Sequence, residues 1–294
     1  MKILHIINKL STGGAQSLVA ELAIGQMMNG DEVSILELMP SPDDILRKRV
    51  TAVGVVMHTL HPIGNVYNPL VTFSIIPYLK GYDIIHVHLF PAQYWVAFAK
   101  LLSFSKAHIV TTEHSTNNKR RNGKFWGFVD RFVYNRYDKI IACADKALEL
   151  FQKQYPTLDS CFVPNGVDTS KYWNAESYPK SEFSMNEEDF MVTMIARFDY
   201  PKRQDTIIEA IAKLPKNFHA VFAGGVPKKP NAIKCVELAN SLGIADRVHF
   251  LYVRSDVPRI LKTSDAIIMS SEYEGLSLSS IEGMAGGKPF VSSN

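Results

Sequence analysis

The amino-acid sequence predicts an α/β protein with two parallel-sheet domains, and three observations lead to this class. Short apolar runs typical of buried strands alternate with segments of helical apolar spacing from the first residues onward. The alternation stops once, in a polar segment that contains proline and glycine, and then resumes. The 294 residues suffice for two domains of ordinary size, with a core that needs no disulfide or metal.

The first alternation predicts a domain over residues 1–165. Strands that alternate with helices pair in parallel and carry helices on both faces of the sheet. Their carboxyl ends then share one edge, which is where ligands bind in open sheets. The expected strands are 3–7, 33–38, 83–88, 107–112 and 139–142, and the expected helices are 15–28, 92–102 and 124–134.

Residues 166–189 are expected to form a linker, because no long apolar period survives there. A second domain is expected over 190–294. The chain ends just after the apolar residues 290–291 without a closing helix, so we expect this domain to be incomplete and the chain to be truncated. Its expected strands are 190–196, 219–223, 248–251, 266–269 and 289–291, and its expected helices are 203–214, 231–242, a short one ending at 261, and 277–285.

Composition excludes several classes of protein. A hydrophobic fraction of 46% excludes intrinsic disorder, and a net charge of only +3 disfavours nucleic-acid binding. Cys143, Cys161 and Cys235 are too few and too far apart for a disulfide framework or a zinc site, which fits a reducing compartment. No run reaches the ~18 apolar residues of a membrane span. A cytoplasmic protein is therefore expected.

A glycine pair, Gly13-Gly14, lies between the first expected strand and helix. Free amides and the helix dipole at this position favour an anion, and the missing side chains let a phosphate or a sugar approach. A plain tight turn explains the pair equally well. The surrounding residues match neither the dinucleotide fingerprint nor the P-loop, which disfavours an NAD-dependent oxidoreductase.

Two cations follow the first expected strand of the second domain. Arg197 ends this strand and Lys202 opens the next helix. An arginine fork and a lysine point charge suit a diphosphate at this edge of the sheet. Arg203, the next residue, is assigned to solvated surface charge.

Two carboxylates flank the last expected helix. Glu274 precedes it and Glu282 lies within it, and the amides of Gly275, Leu276 and Ser277 are expected to point towards an anion. The carboxylates suit hydrogen bonds from the hydroxyls of a nucleotide sugar. They also suit a helix N-terminus and an exposed helix face, and the residues alone leave both interpretations open.

Histidines end two expected strands of the first domain. His114 lies at the carboxyl edge, and His86 and His88 share one face of their strand. A metal site needs a third ligand at a suitable spacing, which the sequence does not offer. His86 and His88 are therefore assigned to packing or hydrogen bonding.

Taken together, these residues resemble the family-4 (group 1) retaining glycosyltransferases of the GT-B fold. The resemblance rests on Gly13-Gly14-Ala15-Gln16, His114, residues 164–168, Arg197 with Lys202, and Glu274 with Glu282 followed by Gly287-Lys288-Pro289. Two glutamates with seven residues between them form its most specific part. It covers essentially the whole chain and implies two Rossmann-like domains that face a cleft, with the acceptor side at 1–165 and the nucleotide sugar at 190–294.

The resemblance also implies a role for each residue. Arg197 and Lys202 would neutralise the diphosphate of the donor, helped by amides around Gly13-Gly14 and around Gly275, Leu276 and Ser277. Glu282 would bind the ribose, and Glu274 and His114 would contact the donor sugar. Transfer would retain the anomeric configuration through a front-face step, with no metal and no other cofactor. The implied catalytic residues are Glu274, His114, Arg197 and Lys202.

The acceptor implied by the resemblance is a glycan or a lipid-linked glycan of surface polysaccharide synthesis. Residues 117–134 combine four cations at 119–124 with several aromatic residues, so we hypothesise peripheral contact with an anionic membrane at its cytoplasmic face. A solvated loop before an ordinary amphipathic helix is the competing interpretation. Failure to co-sediment with anionic vesicles at low salt would exclude the hypothesis.

Two alternative functions remain at this stage. One is an inactive sugar-nucleotide-binding fragment that lacks the closing elements of the second domain. The other is a UDP-sugar epimerase of the same fold. It is disfavoured because the epimerases of that group lack counterparts of Arg197 and Lys202 and lack two glutamates at the spacing of Glu274 and Glu282.

Overall fold

The chain folds into two units, Met1–Asn165 and Gly166–Asn294, each built on one parallel sheet. The structure is a computed structural model that describes residues 1–62, 64–114, 124–274 and 276–293, without the side chains of 124–126. The predicted class of two parallel-sheet α/β domains is confirmed. Among the described residues, no helix has both the length and the apolar character needed to cross a bilayer.

The first unit contains a seven-stranded sheet in the order β3-β2-β1-β4-β5-β6-β7. Its strands are β1 Lys2–Ile7, β2 Glu32–Glu37, β3 Val56–Thr59, β4 Ile84–His88, β5 His108–Glu113, β6 Lys139–Ala142 and β7 Ser160–Phe162. Its helices are α1 Gly14–Met28, α2 Ile45–Ala52, α3 Val71–Ile75, α4 Ala92–Ser103, α5 Lys124–Tyr134 and α6 Asp145–Gln154. The sequence analysis did not assign β3, β7, α2, α3 or α6.

The two faces of this sheet bury different groups. Leu4 and Ile6 of β1 belong to the core that includes Val96 of α4, whereas Ile7 belongs to the core that includes Val19 of α1. Because successive side chains of a strand point to opposite faces, His5 shares the α1 face with Ile7. The parallel register of β1 and β4 then places His5 opposite His86.

The second unit contains a five-stranded sheet in the order β10-β9-β8-β11-β12. It has five strands, the number that the sequence predicts, against seven in the first unit. Its strands are β8 Phe190–Ile195, β9 Phe218–Ala223, β10 Val248–Tyr252, β11 Ala266–Met269 and β12 Phe290–Ser292. Its helices are α7 Thr169–Trp173, α8 Gln204–Lys213, α9 Pro230–Ser241, α10 Val257–Thr263 and α11 Leu278–Ala285.

The segment 166–189, which we expected to be a linker, carries structure of its own. It contains α7 and a short 3₁₀ helix at Lys180–Phe183, and it groups with the second unit. Tyr172 of α7 is 3% exposed and belongs to a small core with Leu261 and Ile267. The segment therefore covers part of the second sheet.

Candidate functional site

Arg197 and Lys202 lie in the loop that leaves β8 at the carboxyl edge of the second sheet. β8 ends at Ile195, and Lys202 closes a 3₁₀ turn just before α8. The Arg197 side chain is 60% exposed, and its Nε lies 3.3 Å from Oδ2 of Asp199. Most of this guanidinium therefore faces solvent, where an anion can reach it.

Lys229 adds a third cation to this edge, and the sequence analysis missed it. Its Nζ donates to Oδ1 of Asp199 at 2.5 Å, so Asp199 contacts both Lys229 and Arg197. Although burial acts to raise the pKa of the Asp199 carboxyl, the hydrogen bond from Lys229 and the charge of Arg197 lower it below its ordinary value. Lys202 contacts a second carboxylate, that of Glu274. The three cations Arg197, Lys202 and Lys229 thus outnumber the two carboxylates that they contact, which leaves this part of the edge positive.

A second glycine pair, Gly224-Gly225, fixes the position of the Arg197 loop. Both residues have positive φ, +116° and +72°. A Cβ at Gly224 would lie 2.7 Å from the carbonyl oxygen of Ala196, and one at Gly225 would lie 3.0 Å from the backbone nitrogen of Phe198. Only glycine permits this conformation and this approach together. The pair follows β9 directly, which is the signal that could have identified it.

The loop after β11 is fastened to the loop after β8, and this brings Lys202 and Glu274 together. The ammonium of Lys202 donates to the carboxylate of Glu274. Nearby, the backbone nitrogen of Glu272 donates to Pro201 at 2.8 Å, and Oγ of Ser270 donates to the carbonyl oxygen of Lys202 at 2.9 Å. The two predicted charges therefore form a direct pair.

Arg203 is a correction to the sequence analysis, which assigned it to solvated surface charge. Its guanidinium donates to Asp205 through Nε at 3.0 Å and to Glu272 through Nη1 at 3.0 Å. Arg203 thus ties the start of α8 to the loop that carries Glu274.

Glu282 and the start of α11 lie in the same unit. Oε1 of Glu282 accepts a hydrogen bond from the hydroxyl of Tyr172 at 2.7 Å, a partner that the sequence analysis did not find. Ser277 precedes α11 in an extended conformation, and Leu276 is 37% exposed. The backbone N–H groups of the first turn of α11, which have no partner within the helix, therefore lie next to these two residues in the chain. Gly275 lies outside the described residues.

In the first unit, Gly13 precedes α1 and Gly14 is its first residue. A Cβ at Gly14 would meet nothing within 4 Å among the described atoms, and one at Gly13 would meet the flexible end of Gln16. The packing described for this turn therefore does not require glycine at position 14. A ligand that comes close to the backbone of this turn would require glycine at position 14.

We expect Gly14→Ala to lower the sugar transfer that the resemblance implies at least 10-fold while leaving stability within about 0.5 kcal/mol of wild type, because Ala fits the helix but blocks the approach of a ligand. Gly25→Ala in the same helix is the matched control, since a Cβ there also meets nothing within 4 Å. It should add about 0.5–1 kcal/mol of stability without changing transfer. Thermal unfolding and a transfer assay measure both quantities. Full activity of Gly14→Ala would show that the turn has no role in ligand binding.

A pocket of about 370 Å³ opens at the carboxyl edge of the first sheet, next to this turn. Asn8 follows β1, Met39 lies beyond β2 and Leu89 follows β4, so three neighbouring strands lead into it. Its remaining lining residues are Lys9, Ser11, Gln16, Asn65, Val66 and Tyr67.

His114 directly follows β5, and its Nε2 lies 3.4 Å from Nδ1 of His88. Burial lowers the pKa of His114 to about 4. His86 and His88 are buried and hydrogen-bonded, as assigned, and Nε2 of His86 lies 2.7 Å from Oγ1 of Thr112. Sequence spacing gave no third ligand beside them, but the fold brings a third histidine to this place. His5, His86 and His88 each bring a nitrogen within 4.8 Å of the others.

The basic aromatic segment 117–134 is only partly described, since 117–123 lie outside the described residues. Within α5, Val133 and Tyr134 are fully buried whereas Phe128 is 74% exposed. This pattern is that of an amphipathic helix packed on the rest of the unit. Membrane contact through this segment stays a prediction.

Comparison with known proteins gives the family. The family model "Glycosyltransferase Family 4" matches residues 12–171, and "Glycosyl transferases group 1" matches residues 179–294. The N-acetyl-alpha-D-glucosaminyl L-malate synthase of Bacillus anthracis is 27% identical over 72% of this chain, which spans 56% of that protein. The O-antigen biosynthesis glycosyltransferase WclY of Escherichia coli is 20% identical over the whole chain, which spans 80% of it.

Solved structures show the same fold. HepE of Anabaena, crystallised with UDP and glucose, matches with a TM-score of 0.84 at 19% identity, over 99% of this chain and 80% of that one. WaaG, a glycosyltransferase involved in lipopolysaccharide biosynthesis, matches with a TM-score of 0.67 at 17% identity, over 99% and 80%. With the two parallel sheets and the family models, these likenesses identify the chain as a glycosyltransferase of family 4 (group 1) with the GT-B fold.

Proposed function

We propose that the protein is a retaining, metal-independent glycosyltransferase that moves a sugar from a nucleoside diphosphate sugar to a glycan or lipid-linked acceptor in surface polysaccharide synthesis. The observation that carries this proposal is the positive carboxyl edge of the second sheet. Arg197, Lys202 and Lys229 lie there in loops after β8 and β9. Fixed cations of this kind suit the diphosphate of a donor.

The names of similar proteins support the donor and acceptor classes. HepE was crystallised with UDP-glucose as well as with UDP. The UDP-Gal:alpha-D-GlcNAc-diphosphoundecaprenol alpha-1,3-galactosyltransferase of Escherichia coli is 24% identical over 73% of this chain, which spans 58% of that protein. We therefore propose a UDP-sugar as the first donor to test and a lipid-linked glycan as the acceptor.

In the proposed reaction the bond between the anomeric carbon and the diphosphate oxygen breaks while an acceptor hydroxyl attacks the same face of the sugar. The proton of that hydroxyl passes to the leaving diphosphate oxygen. Negative charge grows on the leaving diphosphate, and Arg197 and Lys202 stabilise it without a metal ion. The amides near Leu276 and Ser277 add hydrogen bonds to the same group. Positioning and charge stabilisation supply the rate enhancement.

The remaining contacts of the donor are proposed residue by residue. Glu274 accepts hydrogen bonds from the sugar, and Glu282, held by Tyr172, accepts them from the ribose. Gly13 and Gly14 leave space for the donor, and His114 hydrogen-bonds the sugar. The pocket beside Asn8 and Tyr67 receives the acceptor. A cytoplasmic location, peripheral at the membrane, completes the proposal.

Calorimetric titration of the full chain with UDP, GDP and ADP tests the donor site. We expect one nucleotide to bind, chelator to have no effect, and Arg197→Ala to weaken binding at least 10-fold, because it removes a charge-assisted contact with the diphosphate. Lys216→Ala is the matched control, since Lys216 is exposed and precedes β9 at the opposite edge of the same sheet. Equal binding by folded Arg197→Ala protein would overturn the proposal. Binding without transfer of any sugar would identify the inactive-fragment alternative.

A further inference from the structure

A row of hydrogen-bonded side chains crosses the α1 face of the first sheet and ends at His114. Nε2 of His5 lies 2.7 Å from Oε1 of Gln26, which comes from α1. Nδ1 of His5 lies 3.1 Å from Nε2 of His88. Nδ1 of His88 lies 3.4 Å from Nε2 of His114. Each imidazole in the middle of the row thus uses both of its nitrogens.

The three imidazoles of this row are neutral at neutral pH. Burial lowers the pKa of His5 to about 4, with the hydrogen bond to Gln26 as a smaller opposing effect. Burial also lowers the pKa of His88 well below its ordinary value and that of His114 to about 4. A neutral imidazole has one N–H donor and one acceptor nitrogen, so each ring is in one of two tautomers.

The oxygen of Gln26 sets the direction of the whole row, because a carbonyl oxygen only accepts. Nε2 of His5 must therefore donate to it, which leaves Nδ1 of His5 as an acceptor. Nε2 of His88 must then donate to His5, which leaves Nδ1 of His88 as an acceptor. Nε2 of His114 donates to that nitrogen in turn. Nδ1 of His114, the remaining nitrogen of the row, is then an acceptor.

We propose that Gln26, through His5 and His88, is a positioning residue that holds His114 in the tautomer with an acceptor at Nδ1. The consequence for specificity rests on the proposed function: His114 accepts a hydrogen bond from a donor-sugar hydroxyl and does not donate one. A sugar in which fluorine replaces this hydroxyl cannot donate, so it loses the contact. A histidine with the reverse tautomer would tolerate the fluorine.

The competing interpretation is a metal ion bound by three histidines, because His5, His86 and His88 each place a nitrogen within 4.8 Å of the others. One observation favours the hydrogen-bonded row over a metal ion. Nδ1 of His5 and Nε2 of His88 lie at a hydrogen-bond distance, which requires a proton between them.

Nitrogen NMR of the full chain reads the tautomers directly. In wild-type protein, long-range ¹H–¹⁵N correlation should show a protonated Nε2 and a bare Nδ1 for His5, His88 and His114. In Gln26→Lys an ammonium, which only donates, replaces the acceptor, and all three rings should change to Nδ1–H. Met28→Lys is the matched control on the same helix, since Met28 is 81% exposed. It should leave all three tautomers as in wild type.

Gln26→Met removes the acceptor oxygen, keeps a side chain of similar length and adds no charge. It is the variant to test if Gln26→Lys does not fold. It should give a mixture of tautomers at His114. A wild-type His114 with Nδ1–H, a His114 tautomer that neither variant changes, or joint shifts of His5, His86 and His88 on adding Zn²⁺ would each overturn the proposal. These readouts need no donor, so they are independent of the proposed function.

Transfer kinetics test the consequence for the sugar. We expect Gln26→Lys to lower transfer at least 10-fold and Met28→Lys to leave it unchanged. Donors with a single hydroxyl replaced by fluorine should include one that wild-type protein uses at least 10-fold less well and that Gln26→Lys no longer discriminates. Reversed tautomers with unchanged transfer and unchanged discrimination would refute the contact between His114 and the sugar.

Discussion

Replacement of Glu274 by glutamine is expected to tighten UDP binding several-fold and to lower the rate of sugar transfer by about 10²-fold. The structure pairs the Glu274 carboxylate with the Lys202 ammonium, and both side chains are only about a quarter exposed. A diphosphate that binds Lys202 must displace this carboxylate and approach its negative charge. Removing the charge relieves both costs, which are worth up to about 1 kcal/mol for a pair at a surface.

The same substitution removes the carboxylate proposed to orient the donor sugar. Loss of one such group in a transition state typically costs about 10²–10³ in rate. The two effects therefore have opposite signs, which simple damage to the site cannot produce. Calorimetry with UDP and steady-state kinetics with the donor identified by titration measure them.

Glu272→Gln is the matched control for this prediction. Glu272 lies in the same loop and pairs with Arg203, so the variant removes a charge and an ion pair of similar exposure. It should change UDP affinity less than twofold. If Glu274→Gln weakens UDP binding and transfer together, the carboxylate does not compete with the diphosphate for Lys202.

Much of the fold was predictable because the central strands are continuous apolar runs between polar turns. In a parallel sheet such strands are buried on both faces, and β1 and β4 show this burial directly. Both β3 and β7 lie at an edge of the sheet and contain no fully buried residue. Their sequences therefore carry little apolar signal. α7 has a single buried residue, Tyr172, and so shows no helical period.

The sequence predicted those site residues whose place in the fold follows from their position just after a strand. Arg197 and Lys202 follow a strand, and the topology of a parallel sheet brings such residues to one edge. Tyr172 and His5 could not be found in this way. Tyr172 meets Glu282 across 110 positions, and His5 meets His88 across 83. Contacts of this range depend on strand order and register, which apolar spacing alone does not determine.

Acidification from pH 7 to pH 5.5 is expected to lower the free energy of unfolding of the first unit by roughly 5 kcal/mol. Burial lowers the pKa of His5 and His114 to about 4 and that of His86 and His88 well below the ordinary value. In the unfolded chain these groups titrate near pH 6.5. Between about pH 6.5 and 4 the unfolded state therefore binds more protons than the folded state.

The sign of the effect follows from this difference in bound protons. Stability from neutral histidines is fully present above pH 6.5 and is lost as the pH falls, at up to about 1.4 kcal/mol per pH unit for each group. Over this interval one histidine contributes about 1.2 kcal/mol. The loss is large against a total stability of about 5–15 kcal/mol, so the first unit should approach unfolding below pH 5.

Amide hydrogen exchange of β1 and β4 measures the stability of the first unit separately, at pH steps between 7 and 5.5. His86→Gln should reduce the loss on acidification by about 1.2 kcal/mol, because one neutral histidine is removed. His108→Gln is the matched control, since the His108 side chain is 76% exposed, and it should leave the pH dependence as in wild type. A free energy of unfolding that is constant from pH 7 to 5.5 would mean that the buried histidines bind protons as readily as they do in the unfolded chain, and that they are charged at pH 5.5. The direction that Gln26 imposes on the row would then be lost as well, since a doubly protonated imidazole has no acceptor nitrogen.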